Sequence, residues 1–247
     1  MKKEWTTPQG RYYTLYKDML QQPHLLVAGA TGSGKSVVIN GLLCTALYDS
    51  PAAVQLILID PKRVELIDFR PLPHTLKYAS EPGDMVQALE MGLQVMENRF
   101  RNMASRRIKE WDGGHVYIII DELADLMLTN RTQVQPLLQR LAQLGRAARV
   151  HVIAATQCPL AKVIPTEIKA NFDSRLGLRT ASPQDSRNIL GVKGCEWLPD
   201  PRAAHKAQGY YKHGCVCDLW SMPMYDPSEV VRIINYWTHT RPRIKLF

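Results

Sequence analysis

Short apolar runs rich in β-branched residues recur along this chain, separated by stretches whose apolar residues fall at helical spacing. They are His24-Leu25-Leu26-Val27-Ala28, Val54-Gln55-Leu56-Ile57-Leu58-Ile59, Val116-Tyr117-Ile118-Ile119-Ile120 and Val150-His151-Val152-Ile153-Ala154-Ala155, with Ser174-Arg175-Leu176-Gly177-Leu178 reading as a further strand. A strand with one wet face alternates apolar with polar. A nearly continuous run must be covered on both faces, and that is the habit of parallel sheets. Helices are predicted over Ser36–Tyr48, Glu81–Arg107, Asp121–Leu128, Gln133–Arg149 and, after the entry Asp226-Pro227-Ser228-Glu229, over Val230–Trp237. The expected fold class is therefore α/β, a mostly parallel twisted sheet with helices on both faces. Ligands of such sheets bind beyond the carboxyl ends of the strands, so chemistry is to be sought just after each run.

Size and composition narrow the classes. The 247 residues suffice for one α/β domain with a sizeable core. No apolar stretch approaches the roughly 20 residues that span a bilayer, and Met1-Lys2-Lys3-Glu4-Trp5 does not open a signal peptide, so a cytoplasmic protein is expected. Five cysteines (Cys44, Cys158, Cys195, Cys215 and Cys217) do not pair into a disulfide framework, and Cys215-x-Cys217 is too tight for a zinc knuckle, leaving free thiols. A formal net charge of +8 fits either a solvated basic surface or a polyanionic partner.

Gly29-Ala30-Thr31-Gly32-Ser33-Gly34-Lys35-Ser36 fits G-x-x-x-x-G-K-[ST] and lies between a predicted strand and a predicted helix, the context that motif requires. Its glycines let the backbone curl so that N–H groups point at phosphate oxygens, and the following helix adds the positive end of its dipole. Lys35 can reach the β- and γ-phosphates of ATP, and the Ser36 hydroxyl can ligate Mg²⁺. Asp121 and Glu122 close the strand that ends at Ile120. Read alone they could be an acid pair favouring a helix start. Behind a phosphate loop, Asp121 is expected to hold the metal and Glu122 to orient and deprotonate the attacking water. Gln157, after Thr156, is expected to sense the γ-phosphate. Asp60-Pro61-Lys62 could line the same crevice or form a turn with a charge pair, and both readings stay open.

These segments carry a resemblance. Pro23–Gly29, the phosphate loop, Leu58-Ile59-Asp60-Pro61-Lys62 with Glu65-Leu66, Met96-Glu97-Asn98-Arg99-Phe100, Ile120–Met127, Arg140–Gln143, Arg146-Ala147-Ala148, Ala155-Thr156-Gln157, Ile168–Asn171 and Asp185–Leu190 follow one another as in the FtsK/SpoIIIE motor ATPases of the HerA–FtsK group. The chain resembles that family over roughly residues 23 to 195. The resemblance implies a RecA-like P-loop NTPase that assembles as a homohexamer and pumps double-stranded DNA through its ring. It implies that Arg146 is the arginine finger offered to a neighbour, with Arg149 as runner-up, and that the loop after Gln157 touches DNA through Lys162 and Lys169.

Departures from the family pattern are Cys158 and Pro183, where relatives usually carry positive charge, and Pro199-Asp200-Pro201-Arg202, where a glycine-rich segment usually follows Leu198. The expected organisation is a short N-terminal segment over 1–22, the motor domain over 23–225, and a C-terminal helix with a basic tail over 226–247. The function expected is an ATP-dependent DNA translocase. The alternatives are a nucleotide-gated adaptor that brings DNA to a membrane or secretion channel, and a P-loop metabolite kinase, against which Glu122 and the Gln157 strand end argue.

Overall fold

A computed structural model describes residues 16–160, 163–204, 206–223 and 227–239. The strands are β1 (His24–Ala28), β2 (Val54–Ile59), β3 (Thr75–Ala79), β4 (His115–Ile120), β5 (Val150–Thr156), β6 (Ser174–Leu178), β7 (Lys206–His213) and β8 (Val216–Pro223). They form one sheet in the order β3-β2-β4-β5-β1-β6-β7-β8. The six from β3 to β6 run parallel, and β7 and β8 close the sheet as an antiparallel hairpin. The helices are α1 (Lys35–Ala46), α2 (Pro82–Arg106), α3 (Leu123–Leu144), α4 (Thr166–Ala170), α5 (Pro183–Leu190), α6 (Pro201–Ala204) and α7 (Pro227–His239). The α/β class and the parallel sheet expected from the apolar runs are what the structure has.

Alternation along each strand feeds two cores. Val27, Leu56, Leu58, Ile119 and Ile153 face α1 and its residues Val38, Ile39, Leu42 and Leu43. Leu26, Ile57, Ile59, Ile118, Ile120 and Val152 face α2 and α3, which contribute Met85, Leu89, Met96, Leu126, Leu138 and Leu141. Truncating one fully buried member such as Leu42 to Ala costs about 2–5 kcal/mol, from lost transfer energy plus the cavity left behind.

Both ends of the described chain join the first of these cores. Tyr16 and Met19, in a helical turn over 16–20, are buried in it. So are Ile233 and Trp237 of α7, and the Trp237 indole N–H donates to the Leu47 carbonyl at 2.8 Å. The basic tail lies outside the described residues. Among the described residues no helix is long and apolar enough to cross a membrane.

Candidate active site

The phosphate loop leaves the carboxyl end of β1 and is tied to both neighbouring strands. Gly29 N–H donates to the Thr156 carbonyl at 3.2 Å and Ala30 N–H to the Arg179 carbonyl at 2.8 Å. Gly32 and Gly34 have φ of 74° and 95°, conformations that glycine alone adopts without strain. A Cβ on Gly34 would also lie 2.8 Å from the Ala207 Cβ. Gly34 caps α1, whose first turn carries no acid, so its amino end keeps its attraction for an anion.

Lys35 begins that helix and its ammonium is buried. It donates to the Asp121 carboxylate at 2.9 Å and to the Asp121 carbonyl at 2.7 Å. The strand end of β4 and the phosphate loop are thus locked by opposite charges away from water. Beside it the Ser36 hydroxyl donates to Glu65 at 2.6 Å. Glu65 lies on the loop after β2, held by the buried Asp60, whose carboxylate accepts from Leu66 N–H at 3.0 Å. Glu65 was legible only as part of a matching pair, with no role. The structure brings it to the Ser36 hydroxyl.

Glu122 parts company with Asp121. It is buried at the start of α3 and accepts from Thr156 Oγ1 at 2.7 Å, from Gln157 N–H at 3.1 Å and, as the helix cap, from Ala124 N–H at 3.4 Å. Lys62 Nζ stands 3.7 Å from Glu122 and 3.8 Å from Asp125. Pro61 and Lys62 lie in a turn, and Lys62 makes its charge pairs with these acids of the neighbouring strand end and helix. The Gln157 side chain accepts from Thr31 of the phosphate loop at 2.9 Å, so one residue joins the loop to the Glu122 network.

Ala30, Thr31, Gly32, Gly34, Lys35 and Ser36 line a cleft of about 270 Å³, with Val37, Glu65, Gln157, Pro201 and Arg202 around it. The buried Ser33 hydroxyl lies against Gly29 and has no hydrogen-bond partner among the described residues. Ser36, Asp121 and Glu65 are hard oxygen donors of the kind Mg²⁺ takes. Among the described residues no group of three or more His, Cys, Asp or Glu could cage a metal unaided.

The remaining expected residues divide. Arg146 is exposed in the turn between α3 and β5, at the amino edge of the sheet. The seven residues of β5 put it roughly 20 Å from its own chain's phosphate loop, out of that loop's reach. Arg149, the runner-up, is half-buried at φ 51° and donates to the Gly113 carbonyl at 3.0 Å. Lys162 lies outside the described residues. Lys169 sits on α4, buried, and its ammonium donates to the Asn188 carbonyl at 3.3 Å. Burial, helped by nearby Arg175, holds its pKa below the usual lysine range. This placement serves packing, and in this conformation it offers no surface charge to a DNA phosphate. Cys158 lies half-buried against the second core, and Pro183 opens α5 behind the Ser182 cap. Neither position replaces the missing basic charge.

The chain matches the FtsK/SpoIIIE family model over residues 8–118 and 115–161. It is 38% identical to a DNA translocase FtsK of Rickettsia typhi over a 228-residue alignment that takes in 74% of this chain and 31% of the relative. It is 42% identical over 202 residues to that of Chlorobaculum tepidum, covering 73% and 25%. The chain thus spans about a quarter to a third of the length of these relatives. In fold it is similar to the pCW3 conjugation coupling protein TcpA, solved with ATPγS, at a TM-score of 0.75 and 23% identity, covering 89% of this chain and 66% of that one.

Proposed function

The chain belongs to the FtsK/SpoIIIE family, and on that footing we propose that it is an ATP-hydrolysing motor that drives double-stranded DNA through a homohexameric ring. One observation carries the reading: a buried carboxylate, Glu122, is held by donors from the end of β5 beside the Lys35–Asp121 pair, and Gln157 links it to the phosphate loop.

In this reading the loop N–H groups and Lys35 hold the β- and γ-phosphates of ATP. Ser36 and Asp121 would hold Mg²⁺, with Glu65 in reach of the same hydroxyl, and the ion supplies positive charge against the departing phosphate. Glu122 orients a water and takes its proton as the water oxygen bonds to the γ-phosphorus. The bond from that phosphorus to the bridging oxygen breaks, and its electron pair leaves on ADP. Arg146 of a neighbouring subunit adds charge to the γ-oxygens. Loss of the γ-phosphate changes what Thr31 and Gln157 hold, and the loop after Gln157, with Lys162, passes the change to the DNA backbone. Backbone contacts carry no sequence information, as a motor on any sequence requires. In this reading the domain works in the cytoplasm, with a membrane or secretion channel as the docking partner of the assembly.

Missing positive charge at Cys158 and Pro183, with Lys169 turned inward, favours a second reading: a nucleotide-gated adaptor that delivers DNA without strong motor activity. Turnover measured with and without duplex DNA, followed by displacement of a DNA triplex, separates the two. A motor hydrolyses faster on duplex, loses that stimulation steeply as salt rises, and strips the triplex. An adaptor leaves the triplex in place. DNA-independent, salt-independent turnover defeats both.

A further inference from the structure

We propose that Arg202 is a phosphate-binding residue of the nucleotide site, supplied by the same chain from the segment that departs from the family pattern. This inference rests on the nucleotide reading above.

Three observations converge. The Arg202 guanidinium lies over the turn of the phosphate loop: a Cβ placed on Gly32 would stand 3.0 Å from its Nη2, and Arg202 lines the cleft directly. The segment is anchored there. Arg179, on the strand end that receives Ala30 N–H, bridges to Asp200 at 3.2 Å. The other Asp200 oxygen accepts from Arg202 N–H at 2.9 Å, and Pro201 packs 3.7 Å from the Cβ position of Gly34. Finally, the charges around the cleft are unequal. Lys35 is paired with Asp121 and Glu65 is bonded to Ser36, whereas the Arg202 guanidinium forms no ion pair with a described residue. An arginine held over a cradle of inward N–H groups, with no carboxylate of its own, presents a planar donor set to phosphate oxygens. A glycine-rich segment in this place could close over the loop but could bring no charge to it.

Calorimetric titration of the purified chain with ATPγS, ADP and adenosine tests this, with Lys35→Ala in parallel. Arg202→Gln is expected to weaken ATPγS and ADP about 10- to 100-fold and to leave adenosine unchanged, while Arg202→Lys recovers part of the loss. The thermal midpoint without nucleotide should not move, because the guanidinium is exposed and unpaired. Equal affinities for wild type and Arg202→Gln overturn the inference alone. Equal losses for adenosine move the contact from phosphate to base and overturn it as well. ATPγS binding that survives Lys35→Ala at full strength defeats instead the nucleotide reading on which the inference stands.

Discussion

The two ends of the parallel sheet both bury polar and charged side chains, but they bind them differently. At the amino edge most of the partners are backbone. Arg99 donates to the Ala148 and Arg149 carbonyls at 2.7 and 3.1 Å and lies 5.2 Å from the Trp111 ring, and burial lowers its pKa to about 10. The His151 ring faces the Pro23 carbonyl at 3.0 Å and His115 at 2.9 Å, and His24 Nδ1 accepts from Val152 N–H at 3.0 Å. At the carboxyl edge side chains also pair with one another: Lys35 with Asp121, Ser36 with Glu65, Thr31 with Gln157, Thr156 with Glu122. A backbone carbonyl stays where the fold puts it. A side chain can release one partner for a phosphate oxygen, a cation or a water. The amino edge is therefore a lock, and the carboxyl edge a set of exchangeable contacts.

Substitutions can break or sharpen that contrast. The largest effect is expected from Lys35→Ala, which removes the ammonium and leaves Asp121 buried without its charge partner. ATP affinity should fall more than about 100-fold, and turnover should vanish. Retained turnover would refute the exchangeable-contact account.

Next is Arg99→Met at the opposite edge. It should lower unfolding free energy by about 2–4 kcal/mol, because two buried carbonyls lose a charged donor. Nucleotide affinity of the folded fraction should stay within about twofold. A parallel collapse of affinity would show that the two edges are not separable.

The histidines supply a pH test. Burial lowers His24 to about 4 and His151 to about 3, the latter also through His115, so both are neutral in the fold. A proton on His24 Nδ1 would face the Val152 N–H it now accepts from. The unfolded chain, with histidines near 6.5, binds more protons in this window. Stability is thus complete above that value and lost as pH falls toward the folded values, by about 1.4 kcal/mol per pH unit for each histidine. Thermal midpoints between pH 7 and 5.5 should fall, and less steeply in His151→Gln. Identical slopes would remove His151 from the lock. The smallest effect is expected at the exposed Arg140–Glu97 pair, 2.8 Å apart, where Arg140→Ala should cost under about 1 kcal/mol.

What was readable in the sequence follows the physics of burial. Strands dry on both faces announce themselves as unbroken apolar runs, and β1, β2, β4 and β5 did so. Strands at an edge or with one wet face do not: the edge strand β3 has only Ala79 fully buried, and β7, paired on both sides, alternates buried with partly exposed residues, so neither stood out, and nor did the other edge strand, β8. The two helices read over 121–149 follow one another within α3, separated by a kink at Asn130, which leaves helical geometry at φ −141°. The element stops at Leu144, because Gly145 to Arg149 turn the chain into β5. The phosphate loop and the acid pair are local in sequence and were legible. Glu65 and Arg202 reach the site only through topology. The burial of Lys169 was hidden, since a five-residue helix shows no periodic face.

The most direct test of the account is Glu122→Gln, measured for both ATP binding and hydrolysis. The amide keeps the shape and much of the bonding to the end of β5 but cannot accept the water's proton. Binding within a few-fold of wild type, with turnover down about 100-fold or more, is the predicted result. Hydrolysis at the wild-type rate would contradict it and take the catalytic centre elsewhere.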